Sequence, residues 1–163
     1  MNIVGPLANP ALAGRQVVGV SERRRLPLMA GALASLGTVH ALIVYGEPGM
    51  DEVSPIGMTE VIEIRDAEQR AWTIDPREYG YDGVSAADLA GAMPEDNARL
   101  IEAVLRGEGP RGARAAVVLN AGAALYVGGV AASYGDGVKL AETAIESGAG
   151  RAALERLRAA TRR

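Results

Sequence analysis

The sequence predicts an α/β fold: a partial mixed sheet with helices packed on it. Three observations carry that reading. Val39 to Tyr45 is a nearly continuous apolar run, the pattern of a strand buried on both faces. It is preceded by a short β-branched run at 15–20 and a helical pattern, so strand, helix and strand succeed one another within about 30 residues as a βαβ unit. After residue 58 the pattern changes to two short alternating runs and then to helices.

Taken in order, the opening stretch Asn2-Ile3-Val4-Gly5-Pro6-Leu7-Ala8-Asn9-Pro10 is dense in turn formers and reads as an ordered loop. Arg15 to Val20 is a strand. Ser21 is placed to cap the helix after it. Leu26, Met29, Ala30, Leu33 and Leu36 recur at helical spacing, Pro27 fits the first turn, and Gly37 sits where a C-terminal glycine belongs. Thr59 to Arg65 and Arg70 to Ile74 form a hairpin around a polar turn, Asp66 to Gln69. Asp75-Pro76 ends it, and a short turn starts near Ser85. Pro94 to Leu105 begins with acidic residues that suit the positive end of a helix. Ala113 to Val130 reads as a buried helix rich in small residues. Gly135-Asp136-Gly137 opens another, ended by Gly148, and a last helix from Gly150 to Ala160 is expected to bury Leu154 and Leu157.

Composition narrows the chemistry. The 163 residues suit one domain spanning 1–163. At 48% hydrophobic and 23% charged, the chain is composed like a soluble globular protein rather than a disordered one. A net charge of -3 leaves no basic surplus for a phosphate backbone, so nucleic acid is not an expected partner. There is no Cys and one His, His40, which excludes disulfides, thiolate chemistry and a histidine cluster for zinc. No apolar run is long enough to span a membrane, no signal pattern opens the chain, and the expected location is cytoplasmic. With no Phe and 21 Gly, the core is built from aliphatic and small side chains.

The sharpest candidate site is Tyr45-Gly46-Glu47-Pro48-Gly49-Met50-Asp51-Glu52, directly after the buried strand. In open α/β sheets ligands sit outside the carboxyl ends of strands. Adjacent carboxylates there, Asp51 and Glu52, suit a hard cation such as Mg2+, which binds through one or two carboxylates and keeps several waters. The same pair also reads as a solvated loop. Gly5-Pro6-Leu7-Ala8-Asn9-Pro10 reads as a rigid connector or as a loop that lets backbone approach a ligand. Asn120, polar within an apolar helix, either reaches a ligand or satisfies a buried carbonyl, the second being commoner. His40 reads as structural, and Arg23-Arg24-Arg25 as a solvated face or partner contact.

In this order, these motifs resemble the second half of anthranilate phosphoribosyltransferase. The matching pieces are Asn2 to Pro10, then Gly49-Met50-Asp51-Glu52-Val53-Ser54 with Thr59, Glu95-Asp96-Asn97-Ala98, Val104-Leu105-Arg106-Gly107 and Leu119-Asn120-Ala121-Gly122-Ala123-Ala124-Leu125-Tyr126. Gly137-Val138, Ala141 and Ser147-Gly148 complete them, so the resemblance covers essentially the whole chain. It implies transfer of a 5-phosphoribosyl group from phosphoribosyl pyrophosphate to anthranilate in tryptophan biosynthesis, with Mg2+ held by Asp51 and Glu52. It implies a fold like the C-terminal part of that enzyme and of the nucleoside phosphorylase-like fold. Family members run to about twice this length, as a two-domain enzyme does. The expectation is therefore that the half bearing the glycine-rich pyrophosphate loop is absent, that activity needs that N-terminal half, and that the partner is a complementing N-terminal half or a second copy in a homo-oligomer. The family's anthranilate-gripping arginine has no counterpart ahead of Asn2. Two other readings stay open: a catalytically silent Mg2+- or phosphate-binding or self-associating module, and a nucleoside phosphorylase-like enzyme.

Overall fold

The apolar run after residue 39 forms the second strand of a four-stranded mixed sheet with order β1-β2-β3-β4. The computed structural model describes residues 4–161; Met1, Asn2 and Ile3, with which the first motif opens, and the two final arginines lie outside the described residues. Strands β1 (Arg15–Gly19) and β2 (His40–Gly46) run parallel, with Val17 opposite Leu42, and helix α1 (Leu26–Ser35) connects them. Strands β3 (Thr59–Arg65) and β4 (Glu68–Ile74) continue the sheet antiparallel, pairing Gly46 with Thr59 and Thr59 with Ile74.

Because side chains alternate across a strand, β2 serves two cores at once. Ala41 and Ile43 face Leu26, Met29, Ala30 and Leu33 of α1. Leu42 and Val44 face the other layer, which holds α2 (Pro94–Leu105), α3 (Arg111–Val127) and α4 (Tyr134–Glu146). All four residues from Ala41 to Val44 are 0% exposed, which is why they read as an unbroken apolar run. The edge strand β4 buries only Ile74 and carries Glu68, Gln69 and Arg70 in the open, charges that discourage pairing with another chain.

Close approach between α3 and α4 depends on two glycines. A Cβ on Gly137 would lie 2.3 Å from the carbonyl oxygen of Gly122, and one on Gly122 would lie 2.8 Å from the Val138 side chain. The two backbones meet where any side chain would hold them apart.

A buried carboxylate ties the starting end of β2 to its neighbours. Glu63 of β3 is 6% exposed. Its Oε1 lies 2.9 Å from His40 Nε2 and accepts from the Tyr126 hydroxyl at 2.7 Å, while its Oε2 accepts from the Trp72 indole N–H at 3.1 Å. The His40 and Tyr126 rings meet edge to face at 4.8 Å. A buried charge is tolerated when donors surround it, and here they come from β2, β4 and α3. His40 is thus structural, as its sequence context suggests.

Three local expectations are corrected. The hairpin turn is Asp66-Ala67 alone, at φ 52 and 68, while Glu68 and Gln69 join the ladder opposite Arg65 and Ile64. Two left-handed residues match the twist of the strands better than a four-residue loop. Ser21 does not start α1: Arg23–Arg25 forms an intervening 3-10 turn, and α1 has no side-chain cap. The last helix, α5 (Ala149–Thr161), buries no residue fully; Leu154 is half-buried and Leu157 is 60% exposed. It is held in part by the Arg158–Glu102 ion pair to α2. That pair is partly open to solvent and screened by it, so it adds little to the packing of α5.

Among the described residues no helix is long and apolar enough to cross a membrane. The helical glycines give a test with opposite signs. Gly122→Ala is expected to lower unfolding free energy by about 1–3 kcal/mol through overpacking. Gly31→Ala in α1, with nothing within 4 Å of the added methyl, is expected to raise it by about 0.5–1 kcal/mol. Urea denaturation of the two variants beside the parent chain measures both.

Candidate functional site

The chain leaves β2 into a tight turn at the carboxyl ends of the two parallel strands. Gly46 donates to the Met50 carbonyl at 2.9 Å, and its own carbonyl accepts from Gly49 and Met50 at 2.8 and 2.7 Å. The Glu47-Pro48 peptide within this turn is cis. The chain then crosses back over both strand ends. A Cβ on Gly19, the last residue of β1, would sit 1.6 Å from the Asp51 carbonyl oxygen; one on Gly46 would sit 2.6 Å from that of Glu52. The two glycines therefore allow the backbone of Asp51 and Glu52 to lie directly on the ends of β1 and β2.

Beyond Glu52 the backbone is pinned by side chains rather than by strand pairing. Val53, fully buried, donates its N–H to Asn120 Oδ1 at 2.8 Å, and its carbonyl accepts from Asn120 Nδ2 at 2.9 Å. Ser54 donates its N–H to Thr59 Oγ1 at 2.9 Å and its hydroxyl to the Glu47 carbonyl at 2.6 Å. The same Ser54 oxygen accepts from Ile56 and Gly57, each at 3.2 Å. Irregular backbone can be buried only if its polar groups are paired, and Ser54, Thr59 and Asn120 supply the partners.

On this platform Asp51 and Glu52 are both exposed. Partial desolvation first, and the neighbouring Asp51 carboxylate second, hold the Glu52 carboxyl above the usual glutamate range. The Asp51 charge thus adds to the cost of ionising Glu52, a cost that a divalent cation at the pair would relieve. Among the described residues no group of three or more His, Cys, Asp or Glu side chains is gathered to hold a metal, so a cation here would keep most of its ligands as water or substrate oxygen.

The other sequence candidates lie elsewhere. Pro6, Leu7, Asn9 and Leu12 of the first loop face the C-terminal end of α1, lining a hollow of about 150 Å3 with Leu33 and Leu36, beside the starts of the strands. The motif and the Asp-Glu pair are therefore not brought together. Arg23 pairs with Glu60 at 2.6 Å, and Arg24 and Arg25 pair with Glu22. Asn97 turns back onto the backbone of Ala92, accepting at 2.9 Å and donating at 3.1 Å. A second hollow of about 250 Å3, on the other flank of the turn, is lined by Glu47, Met58, Asp75, Arg77, Tyr81 and Asp82 among others, and by neither Asp51 nor Glu52. The sequence names Ser54 and Thr59 only as motif residues, and their part in holding the platform went unread. The signal was available: a Ser and a Thr bracketing Pro55 and Gly57 close behind the acidic pair.

Comparison with known proteins covers nearly the whole chain. Residues 1–151 match the model of the glycosyl transferase family, a/b domain. A relative from Anaeromyxobacter sp. (strain K), named anthranilate phosphoribosyltransferase, is 47% identical over 160 residues, 98% of this chain and 47% of that protein. The crystal structure of anthranilate phosphoribosyltransferase from Thermus thermophilus superposes with a TM-score of 0.85 at 39% identity, over 95% of this chain and 45% of that one. The Saccharomyces cerevisiae enzyme in complex with PRPP and Mg superposes at 0.80 with 29% identity, over 94% and 44%. The chain spans about half the length of the relatives it matches.

Two outcomes test the platform. Ser54→Ala strands the Glu47 carbonyl and two backbone N–H groups, and is expected to cost about 1–3 kcal/mol in thermal or urea unfolding. Glu52→Gln has the opposite sign at neutral pH. The folded carboxyl titrates above its unfolded value of 4.5, so its ionisation opposes folding once both states are above their ranges. The variant is expected to melt higher than the parent at pH 7, with the difference shrinking to nothing as pH falls below the ordinary glutamate range; scanning calorimetry across pH reads it.

Proposed function

We propose, since this chain belongs to the glycosyl transferase family, a/b domain, that it is the part of an anthranilate phosphoribosyltransferase that presents Mg2+ to phosphoribosyl pyrophosphate. The observation that carries the reading is the adjacent, exposed Asp51–Glu52 pair on a rigid backbone at the carboxyl ends of two parallel strands. The reaction joins the anthranilate amino nitrogen to the anomeric carbon of the ribose as pyrophosphate leaves, with loss of one proton from nitrogen. Negative charge gathers on the departing oxygen.

The residues present fit a hard divalent cation: two adjacent carboxylates, oxygen donors only, both exposed at the ends of the parallel strands. When bound, Mg2+ would neutralise charge on the leaving pyrophosphate. Asp51 and Glu52 would hold the ion by their carboxylates, and exposure of both leaves its other positions to water and diphosphate oxygens. Gly19 and Gly46 keep the backbone beneath them low, so the carboxylates stand at the strand ends rather than over a side chain. In this reading the family's full activity draws on a further stretch of fold, since the chain spans 47% of the Anaeromyxobacter relative, and residues 1–163 form one α/β domain of that larger enzyme.

The experiment supplies that stretch. The chain is mixed with a separately folded polypeptide carrying the half of a relative that it does not span, and anthranilate fluorescence is followed with phosphoribosyl pyrophosphate and Mg2+. Fluorescence should change only when both polypeptides and Mg2+ are present. The Asp51→Asn, Glu52→Gln double variant should lose turnover at least about 100-fold with its fold intact. No turnover from a complex that demonstrably assembles would overturn the reading. Heat of Mg2+ binding without turnover would instead favour a silent cation-binding module.

A further inference from the structure

We infer that Asn120 is a positioning residue: its carboxamide, projecting from α3, sets where Asp51 and Glu52 stand by holding the backbone of Val53. The functional side of this inference rests on the cation reading above.

Val53 immediately follows the acidic pair, and both of its backbone hydrogen-bonding groups go to one side chain, N–H to Oδ1 at 2.8 Å and C=O to Nδ2 at 2.9 Å. The second Nδ2 hydrogen goes to the Ala116 carbonyl at 2.9 Å, one turn back along α3. Three bonds use the amide's donors and acceptor in a single orientation, so the side chain has no free rotation. The helix beneath it is well packed. Leu119 and Ala123 are 0% exposed, and Gly122 is locked against Gly137 of α4. The loop carrying the carboxylates is thereby tied to a rigid helix across 67 residues of sequence.

Neither Asp nor Ala does this. Asp lacks the donors for the Val53 and Ala116 carbonyls. Ala leaves the Val53 N–H and C=O without partners, and a buried unpaired backbone group drives the segment toward water. The segment has little freedom elsewhere: the Asp51 backbone already presses on Gly19 and the Glu52 carbonyl on Gly46. Release of Val53 therefore swings the acidic pair off the strand ends, whereas the sheet and the α3–α4 contact remain. Partners that orient ligating carboxylates typically matter about 10- to 100-fold in metal affinity, so roughly that loss is expected here.

Amide hydrogen exchange and Mn2+ binding, the latter followed by paramagnetic resonance with the metal alone, are measured on the parent chain, Asn120→Ala, Asn120→Asp and Leu119→Ala. The last deletes a buried α3 side chain next to Asn120 and serves as the purely structural control. Asn120→Ala is expected to speed exchange of the Val53 amide at least about tenfold beyond the change in Leu119→Ala, and to weaken Mn2+ binding about 10-fold or more. Asn120→Asp, which still accepts from Val53, is expected to keep that amide close to parental protection. Equal exchange at Val53 in Asn120→Ala and Leu119→Ala overturns the inference. A parent chain that binds no Mn2+ overturns the cation reading, and with raised Val53 exchange in Asn120→Ala it leaves Asn120 as the anchor of the loop.

Discussion

Residues 51–54 cross the ends of two parallel strands without joining either, and their backbone must still find hydrogen-bond partners. In the middle of a sheet the ladder would satisfy these groups; past its end there is only the interior of the protein. The solution is a set of short polar side chains, Asn120 from α3, Ser54 from the loop itself and Thr59 from the start of β3, each aimed at main-chain atoms. The result is a stretch of backbone held from three elements, with two carboxylates left in solvent at its apex.

The opposite end of the sheet is governed by a second polar core. Glu63 gathers His40, Trp72 and Tyr126, so β2, β3, β4 and the C-terminal end of α3 share one buried carboxylate. Arg15 adds a donor to the Val127 carbonyl at 2.7 Å, where α3 runs out of internal donors for its last carbonyls. Helix α3 is thus fastened at both levels: to the strand starts through Tyr126 and to the loop beyond the strand ends through Asn120. A helix held at two points by polar contacts and along its length by Gly122 and Gly137 gives the acidic pair a stiff support. Against this, Glu52 carries a cost: partial desolvation and Asp51 both oppose its ionisation.

Much of the fold was legible because burial leaves a one-dimensional trace. β2, covered on both sides, reads as an unbroken apolar run; α2 begins at Pro94, a residue suited to the first turn, and ends at Leu105. Where the trace was weak, the reading slipped. α5 has apolar residues at helical spacing, but too little of the molecule lies beside it to bury Leu157. The hairpin turn looked longer than it is because Glu68 and Gln69 are polar on an edge strand, where polarity marks exposure and not the end of pairing. At the site, the Asp-Glu pair and its place after a strand were visible, and so was the oddity of Asn120 in an apolar helix. Its partner was not, since the sequence carries no sign that residue 120 meets residue 53.

The order of residues was enough to set the class of the fold, the elements and their succession, the absence of thiol and histidine-cluster chemistry, and the family, because each of these is written in local pattern, composition or motif. Only packing in three dimensions settled which polar side chains serve the backbone of which loop, that the first Gly-Pro motif and the acidic pair stand at different ends of the sheet, and that Glu63 is the hub of the buried network. The physical reason is range. Periodicity and capping act over a few residues, whereas a hydrogen bond between Asn120 and Val53 or between Glu63 and Tyr126 exists only after packing has removed the water that would otherwise satisfy both partners.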